Sequence, residues 1–116
     1  LKAISSIKST RVSIRKIFNN FDALVIPSTP TTAFSFKDKT PKNIASFTCL
    51  ANFGGCPAIS IPTDNTSGLN IPKGLPIGMQ IITAPENDLL ALQIGSVLEK
   101  AIKWKPSHAN NNFCRF

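Results

Sequence analysis

Residues 47–62 read FTCLANFGGCPAISIP, and this stretch does most to decide the predicted fold. From Ile44 to Phe53 nearly every residue is apolar or small, and Gly54-Gly55 supplies the left-handed residues with which helices commonly end. The apolar run Ala58–Ile61 is closed by Pro62 and predicts a short strand. Because no side of the helix is polar, both elements are expected to be buried inside a larger body.

The N-terminal side of this stretch predicts two helices and a strand. Thr40 suits an N-cap and Pro41 suits the first helical position, so the buried helix is predicted over 41–53. Apolar residues at spacings of three, four and seven predict a basic amphipathic helix over 3–20. A continuous apolar run near 23–26, closed by proline, predicts a strand that is buried on both faces.

The C-terminal side predicts two strands and a helix. The strands lie near 58–61 and 77–83, and the polar segment between them could join them as a long hairpin. A second amphipathic helix is predicted over 87–104, with acidic residues at its start and lysines at its end that complement the helix dipole. A proline then ends the helix, and 106–116 is expected to be a frayed tail.

These elements give an α/β fold class. Three short and very apolar strands are too few for a self-sufficient sheet, because each expects neighbours on both sides. A length of 116 residues corresponds to one domain of ordinary size. The chain is therefore predicted to be one part of a larger sheet domain.

Composition and charge exclude several classes of protein. A hydrophobic fraction of 42% with 16% charged residues is too apolar for a disordered chain. The net charge of +7 comes from the two ends, since residues 17–99 carry four basic and six acidic residues. A nucleic-acid binder usually interleaves its basic stripe with exposed aromatics, so solvated helix surfaces are favoured here. The sequence has no long apolar run and no secretory block, so neither a membrane span nor a signal peptide is predicted.

Metal-ligating and titratable residues are few and scattered. Cys49, Cys56 and Cys114 show no CxxC spacing. The single His108 stands in a polar segment, so neither a disulfide framework nor a metal site is predicted. The apolar neighbours of the first two cysteines favour buried free thiols in a reducing compartment, and hence an intracellular protein. No glycine motif for phosphates or dinucleotides occurs in the sequence, and no cofactor is predicted.

Two Ser-x-x-Lys pairs are candidate nucleophiles. Ser5 precedes Lys8 and Ser13 precedes Lys16, and a lysine one helical turn away can deprotonate a serine. The same pattern arises easily in a helix rich in serine and lysine, and here it falls on the basic face of the predicted helix. We therefore assign no catalytic residue to this chain.

Three sequence segments, in a fixed order, resemble segments of a known family. They are residues 22–34 (DALVIPSTPTTAF), residues 47–62 quoted above, and residues 74–82 (GLPIGMQII), followed by Leu89-Leu90. Over about residues 11–100, their order and spacing closely resemble the C-terminal quarter of the amidase signature enzymes. Within this family the sequence is most similar to the A subunits of glutamyl-tRNA(Gln) amidotransferases.

The resemblance implies an α/β/α sandwich around a large mixed sheet, with residues 1–116 as the C-terminal part of a single amidase domain. Family members hydrolyse amides through a Ser, cis-Ser, Lys triad and a loop rich in glycine and serine, which lie upstream of the matched region. The chain alone is therefore expected to be inactive. In the amidotransferase, ammonia from glutamine passes to a B subunit that amidates Glu-tRNA(Gln) with ATP. The implied partners are the N-terminal part of the amidase domain, a B subunit and through it tRNA, and a small-molecule amide.

The resemblance further implies that the helix around 44–53 and the loop after Ile26 border the substrate pocket. Core packing is the alternative interpretation of the side chains in that helix. The substrate-binding candidates are Ala45, Phe47, Thr48 and Asn52.

The sequence departs from the family pattern at three places, and the first of them bears on the substrate. Seven positions before the residue that matches Asn52, the A subunits carry an aspartate that contacts the α-amino group of glutamine, and Ala45 stands there in this chain. Leu50 replaces a common proline, and segment 64–74 is longer than the usual turn. Other amidases of the family, including fatty-acid-amide-hydrolase-like enzymes, lack that aspartate. The alternatives to an A subunit are therefore another amidase, or a truncated paralogue that is not catalytic.

Overall fold

Six helices and strands make up the described part of the computed structural model, which covers residues 2–63 and 77–103. Each of the six predicted elements is present, and the α/β class is confirmed. The predicted tail 106–116 lies outside the described residues. In chain order the elements are α1 (Lys2–Ile17), β1 (Ala23–Pro27), α2 (Thr48–Gly54), β2 (Ala58–Thr63), β3 (Ile77–Thr83) and α3 (Asp88–Ile102).

The three strands form one antiparallel sheet in the order β1-β3-β2. Ile81 of the central strand stands opposite Val25 of β1 on one side and Ile59 of β2 on the other. The pairing of β2 with β3 is the one that a hairpin requires, although the connection between them lies outside the described residues. β3 is the central strand of this sheet, and its residues Ile81 and Ile82 are fully buried.

The described part of the chain alone does not bury strand 23–26 on both faces, so its burial within a larger body stays a prediction. Val25 is 46% exposed. It shares its face of the sheet with Ile59, because directly opposed residues of neighbouring strands point the same way. α3 covers that face over β2 and β3, so the outer part of β1 stays open.

Small residues allow α3 to lie close to the sheet. Gly95 is buried, and a Cβ built there would lie 3.2 Å from Ile59 Cδ1 and 3.9 Å from Ile61 Cγ2. Ala91, one turn earlier, is also buried. The small side chains thus let the isoleucines of β2 fill the space beneath the helix.

A larger side chain at position 95 is expected to destabilise this contact. Gly95→Leu forces α3 away from Ile59, and overpacking of this kind costs about 1–3 kcal/mol. Urea denaturation of the full-length protein should show that loss in the free energy of unfolding. Ser96→Leu is the matched control, because Ser96 is exposed on the same helix and should change the free energy little. Equal effects of the two substitutions would contradict the packing described here.

α1 packs against α2 and contacts its carboxyl end. Ile14 is the buried residue of α1, and its Cγ2 lies 3.0 Å from the position of a Cβ at Gly54. Arg11 Nε donates to the Phe53 carbonyl at 2.9 Å, and Arg15 Nε donates to the Gly54 carbonyl at 3.0 Å. The guanidinium groups therefore satisfy carbonyls that a helix end leaves unpaired, and their charge complements the helix dipole.

The helix predicted over 41–53 begins later than expected. α2 spans Thr48–Gly54, and residues 42–47 form successive turns. The amide of Ile44 donates to the carbonyl of Pro41, three residues earlier. The predicted start of the helix is therefore a turn closed by a hydrogen bond over three residues, not over four as in an α-helix. The predicted end is confirmed, because Gly55 has φ of 62° in the left-handed region and stops the helix.

The described chain alone also leaves α2 partly exposed, so its burial inside a larger body stays a prediction. Only Ala51 and Gly54 are buried among its residues, because α1 packs against one side of it. Cys49 and Cys56 are half-buried free thiols, less enclosed than predicted, and Cys114 lies outside the described residues.

The outer helices are slightly shorter than predicted. α1 ends at Ile17 and three turn residues follow it, whereas the pattern predicted a helix over 3–20. α3 spans Asp88–Ile102, against a prediction of 87–104. None of the described helices combines the length and the apolar character needed to cross a membrane.

Candidate functional site

Polar side chains cluster on the face of the sheet opposite α3. Ile59 and Ile61 point towards α3, so Ser60 between them points to the other face. Gln80 is the direct partner of Ser60 on the central strand and shares that face. The residue that follows β1, Ser28, also joins this cluster. We call Ser28, Ser60 and Gln80 the polar strip.

Ser28 is fixed by both its backbone and its side chain. Its amide donates to the Gly78 carbonyl at 2.8 Å, which continues the pairing of β1 with β3 past the end of the strand. Its hydroxyl lies 2.5 Å from the Ser60 hydroxyl, and the Ser28 residue is only 9% exposed. The loop that leaves β1 is therefore held at its first residue.

Gly78 makes room for this serine pair. A Cβ built at position 78 would lie 2.8 Å from Ser28 Oγ, 2.9 Å from Ser28 Cβ and 3.3 Å from Ser60 Oγ. These distances are shorter than ordinary van der Waals contacts, so any larger residue would have to displace the serine. The close approach of Ser28 to β3 thus depends on glycine at this position.

Gln80 connects the central strand to the turns that precede α2. The residue is 5% exposed, and its Nε2 donates to the Phe47 carbonyl at 3.4 Å. Phe47 occupies the N-cap position of α2, where it makes no side-chain cap. Through Gln80, the start of α2 is anchored to the most buried strand of the described sheet.

The four substrate-binding candidates lie on one continuous segment. Ala45 is exposed, and its carbonyl accepts hydrogen bonds from Thr48 Oγ1 at 3.3 Å and from the Cys49 amide at 3.0 Å. Phe47 and Thr48 are half-buried, and Asn52 is exposed one turn further along α2. None of the four belongs to the buried core, and their binding role stays a prediction.

The thiol nearest the arginines is not an activated nucleophile. Burial raises the pKa of Cys56, and the positive charges of Arg15 and Arg11 oppose that change only in part. The thiol therefore stays protonated at neutral pH, whereas a nucleophilic cysteine needs a lowered pKa.

The two Ser-x-x-Lys pairs lie on the solvated side of α1. Ser5, Lys8, Ser13 and Lys16 are all exposed. Within residues 2–63 and 77–103, no three His, Cys, Asp or Glu side chains come together as a metal site would require. These surroundings offer no enclosed pocket for general acid–base work at the serines.

Neither the polar strip nor the arginine contacts to α2 were predicted from the sequence. A signal for Gln80 and Ser60 was present, because each is a polar residue within an otherwise apolar strand. Arg11 and Arg15 carried no such signal, since they resemble the other basic residues on the polar face of α1.

Comparisons with known proteins agree with one another. The family model described as amidase matches residues 1–92. The A subunit of glutamyl-tRNA(Gln) amidotransferase from Bartonella quintana is 38% identical over 91 residues, which are 72% of this chain and 17% of that protein. The corresponding protein from Pelagibacter ubique is 34% identical over 110 residues, which are 90% of this chain and 22% of that protein. The chain thus spans about a fifth of the length of these relatives.

Solved structures show the same fold. The A subunit of glutamyl-tRNA(Gln) amidotransferase from Thermotoga maritima matches 95% of this chain with a TM-score of 0.74 and 25% identity, over 23% of its own length. A 6-aminohexanoate cyclic dimer hydrolase in complex with its substrate matches 90% of this chain with a TM-score of 0.65 and 25% identity, over 25% of its length. The described sheet and helices therefore recur within larger proteins.

Proposed function

Because this chain belongs to the amidase family, we propose that it forms the C-terminal portion of an amidase, namely the A subunit of a glutamyl-tRNA(Gln) amidotransferase. Family membership confirms the resemblance of the three sequence segments. The observation that supports the proposed branch is the identity of 38% and 34% to A subunits of that amidotransferase.

The proposed reaction is hydrolysis of a carboxamide. A serine outside this chain attacks the amide carbonyl and gives up its hydroxyl proton. The C–N bond breaks, and the nitrogen takes up that proton and leaves as ammonia. Water then attacks the acyl-enzyme ester and releases the carboxylic acid and the free serine. The segment 45–52 supplies one wall of the pocket in which the acyl group binds, with Phe47, Thr48 and Asn52 as the contacting side chains.

The proposed setting follows from this reaction. The rest of the amidase domain covers the open faces of the described sheet and helices and supplies the nucleophile. A B subunit receives the ammonia and uses ATP to activate the side-chain carboxylate of a tRNA-bound glutamyl group, which the ammonia then converts to the amide. The reaction as proposed requires no cofactor on this chain, and the protein acts inside the cell.

A second candidate function is hydrolysis of amides other than glutamine. Ala45 favours it, because the position that carries a carboxylate in the A subunits has a methyl side chain here. Ala45 is exposed and its carbonyl bonds to Thr48 and Cys49, so no side-chain charge is available at this point for an ammonium group. A truncated paralogue without activity is the remaining alternative.

Ammonia release by the full-length protein tests the proposal. Glutamine, an uncharged acyl amide of similar size and a fatty acyl amide are each supplied to the purified protein, with and without a B subunit. Release from glutamine supports the A-subunit function, and release from the uncharged amides alone supports the second candidate. A full-length protein that releases ammonia from none of them would contradict both functions.

A further inference from the structure

We propose that the polar strip of Ser28, Ser60 and Gln80 positions the two segments that border the amide-binding pocket, and that these three are positioning residues for substrate binding. The inference rests on the proposed amidase function. It deepens that function by assigning a role to residues that were not substrate-binding candidates.

The first observation is the presence of buried polar groups where apolar ones would suffice. Gln80 is 5% exposed within β3, where β-branched apolar residues would fill the strand most stably, and Ser28, directly after β1, is 9% exposed. Burial of hydroxyl and amide groups costs free energy that their hydrogen bonds only offset. The buried polar side chains of Ser28 and Gln80 therefore indicate a role other than stabilising the fold.

The second observation is that both pocket-bordering segments are tied to the same short part of β3. Gly78 accepts the backbone hydrogen bond from Ser28, where the loop after β1 begins. Gln80, two residues further along, reaches the carbonyl of Phe47, where the turns before α2 end. The loop and the helix start are therefore held at a fixed separation by a strand that is itself buried.

The third observation links the strip to the third strand. Ser60 pairs with Gln80 across the sheet and shares a hydroxyl hydrogen bond with Ser28. Removal of the Ser60 hydroxyl leaves the buried Ser28 hydroxyl without this partner, so the first residue of the loop loses its side-chain anchor. A loop that is held less firmly must be ordered when the substrate binds, and this ordering lowers the affinity for the substrate.

The proposal predicts an effect on substrate binding more than on chemistry. Gln80 carries no nucleophile or base, and within the described residues the Ser28 and Ser60 hydroxyls bond to each other and not to a general base, so the rate per active site should change little. Weaker positioning of the two segments that border the pocket should instead lower the affinity for the substrate and raise KM. The loss of one hydrogen bond corresponds to a change of about three- to tenfold.

The test compares Ser60→Ala with Ser60→Thr and Ser96→Ala in the full-length protein. Thr keeps the hydroxyl and suits a strand, and Ser96 is an exposed serine on α3 that serves as the control. A serine-directed fluorophosphonate counts the active sites, so that kcat is expressed per active site. We expect Ser60→Ala to raise KM three- to tenfold, with kcat within about twofold, and the other two variants to match the unsubstituted protein.

A purely structural role gives a different result. If Ser60→Ala lowers the number of active sites but leaves KM unchanged, the positioning role is overturned while the amidase function stands. If the unsubstituted protein hydrolyses no amide, the proposed function fails and the positioning role fails with it.

Hydrogen exchange of residues 29–33 and 42–48 gives a readout independent of catalysis. Exchange in both segments should rise in Ser60→Ala, and unchanged exchange would contradict the proposal that the polar strip holds them in position.

Discussion

Ala45→Asp is expected to raise kcat/KM for glutamine, relative to an uncharged acyl amide, by about tenfold in the full-length protein. Free glutamine carries an ammonium group, and enclosing that charge without a carboxylate costs several kcal/mol. Ala45 is exposed in the described chain, but the proposed pocket of the whole enzyme encloses this position. We therefore expect a gain above the roughly 0.2–1 kcal/mol of a surface ion pair, and about 1.4 kcal/mol corresponds to tenfold. The measurement is steady-state kinetics with both substrates in both variants.

Two control variants separate charge from shape. Ala45→Asn has nearly the shape of the aspartate without its charge, and Ser46→Asp places the same charge on the next exposed residue. Neither should change the substrate preference. If the unsubstituted protein already prefers glutamine strongly and Ala45→Asp adds nothing, then Ala45 does not line the pocket and the A-subunit function gains support.

Asp38, the acid nearest to Ala45 in the sequence, is poorly placed to replace the missing carboxylate. Asp38 stands seven residues before Ala45, between Lys37 and Lys39, and is exposed. Its amide donates to the Ser35 carbonyl in a turn well ahead of α2. Asp38→Asn should therefore leave the use of glutamine unchanged.

The isolated 116-residue chain is expected to self-associate and to bind the dye ANS. Leu89, Leu92 and Val97 of α3 are 67%, 57% and 67% exposed, and Val25 is open on the same side of the sheet. Within the described sheet, β1 and β2 each have a partner along one edge, and unpaired edges invite pairing with other chains. Size-exclusion chromatography should show oligomers or aggregates that bind ANS.

A charged substitution provides the matched test of this cause. Leu92→Glu interrupts the apolar surface of α3 without touching the buried side of the helix, so it should lower both association and ANS binding. A monodisperse monomer that binds no ANS and unfolds cooperatively would contradict this expectation.

Much of the fold could be predicted from local patterns. Each strand is an apolar run, and the first two are closed by proline, so the positions of all three were predictable from the sequence. The end of α2 was predictable because glycine alone adopts the left-handed conformation readily. The start of α2 was not, because Thr40-Pro41 can open a series of turns as well as a helix, and the choice depends on contacts such as that of Gln80 with Phe47.

The candidate site, like the fold, could be predicted from the sequence only in part. The segment with Ala45 and Asn52 was identified from its resemblance to a family, which carries information on function that composition and periodicity lack. The Ser28–Ser60 pair joins residues 32 positions apart, and no local pattern reports such a contact. The anchoring of α2 by Arg15 likewise depends on how two helices pack, and it spans 39 positions.

Labelling with a serine-directed fluorophosphonate shows whether this chain is a non-nucleophilic part of an amidase or carries a nucleophile of its own. The full-length protein and the separate 116-residue chain are treated with the probe, and the modified peptide is identified by mass spectrometry. We predict stoichiometric labelling of the full-length protein at a serine outside this chain, and no labelling of the chain alone. Stoichiometric labelling of Ser5 or Ser13 in the separate chain, or a full-length protein that takes up no probe, would contradict the proposal that this chain is a non-nucleophilic part of an amidase.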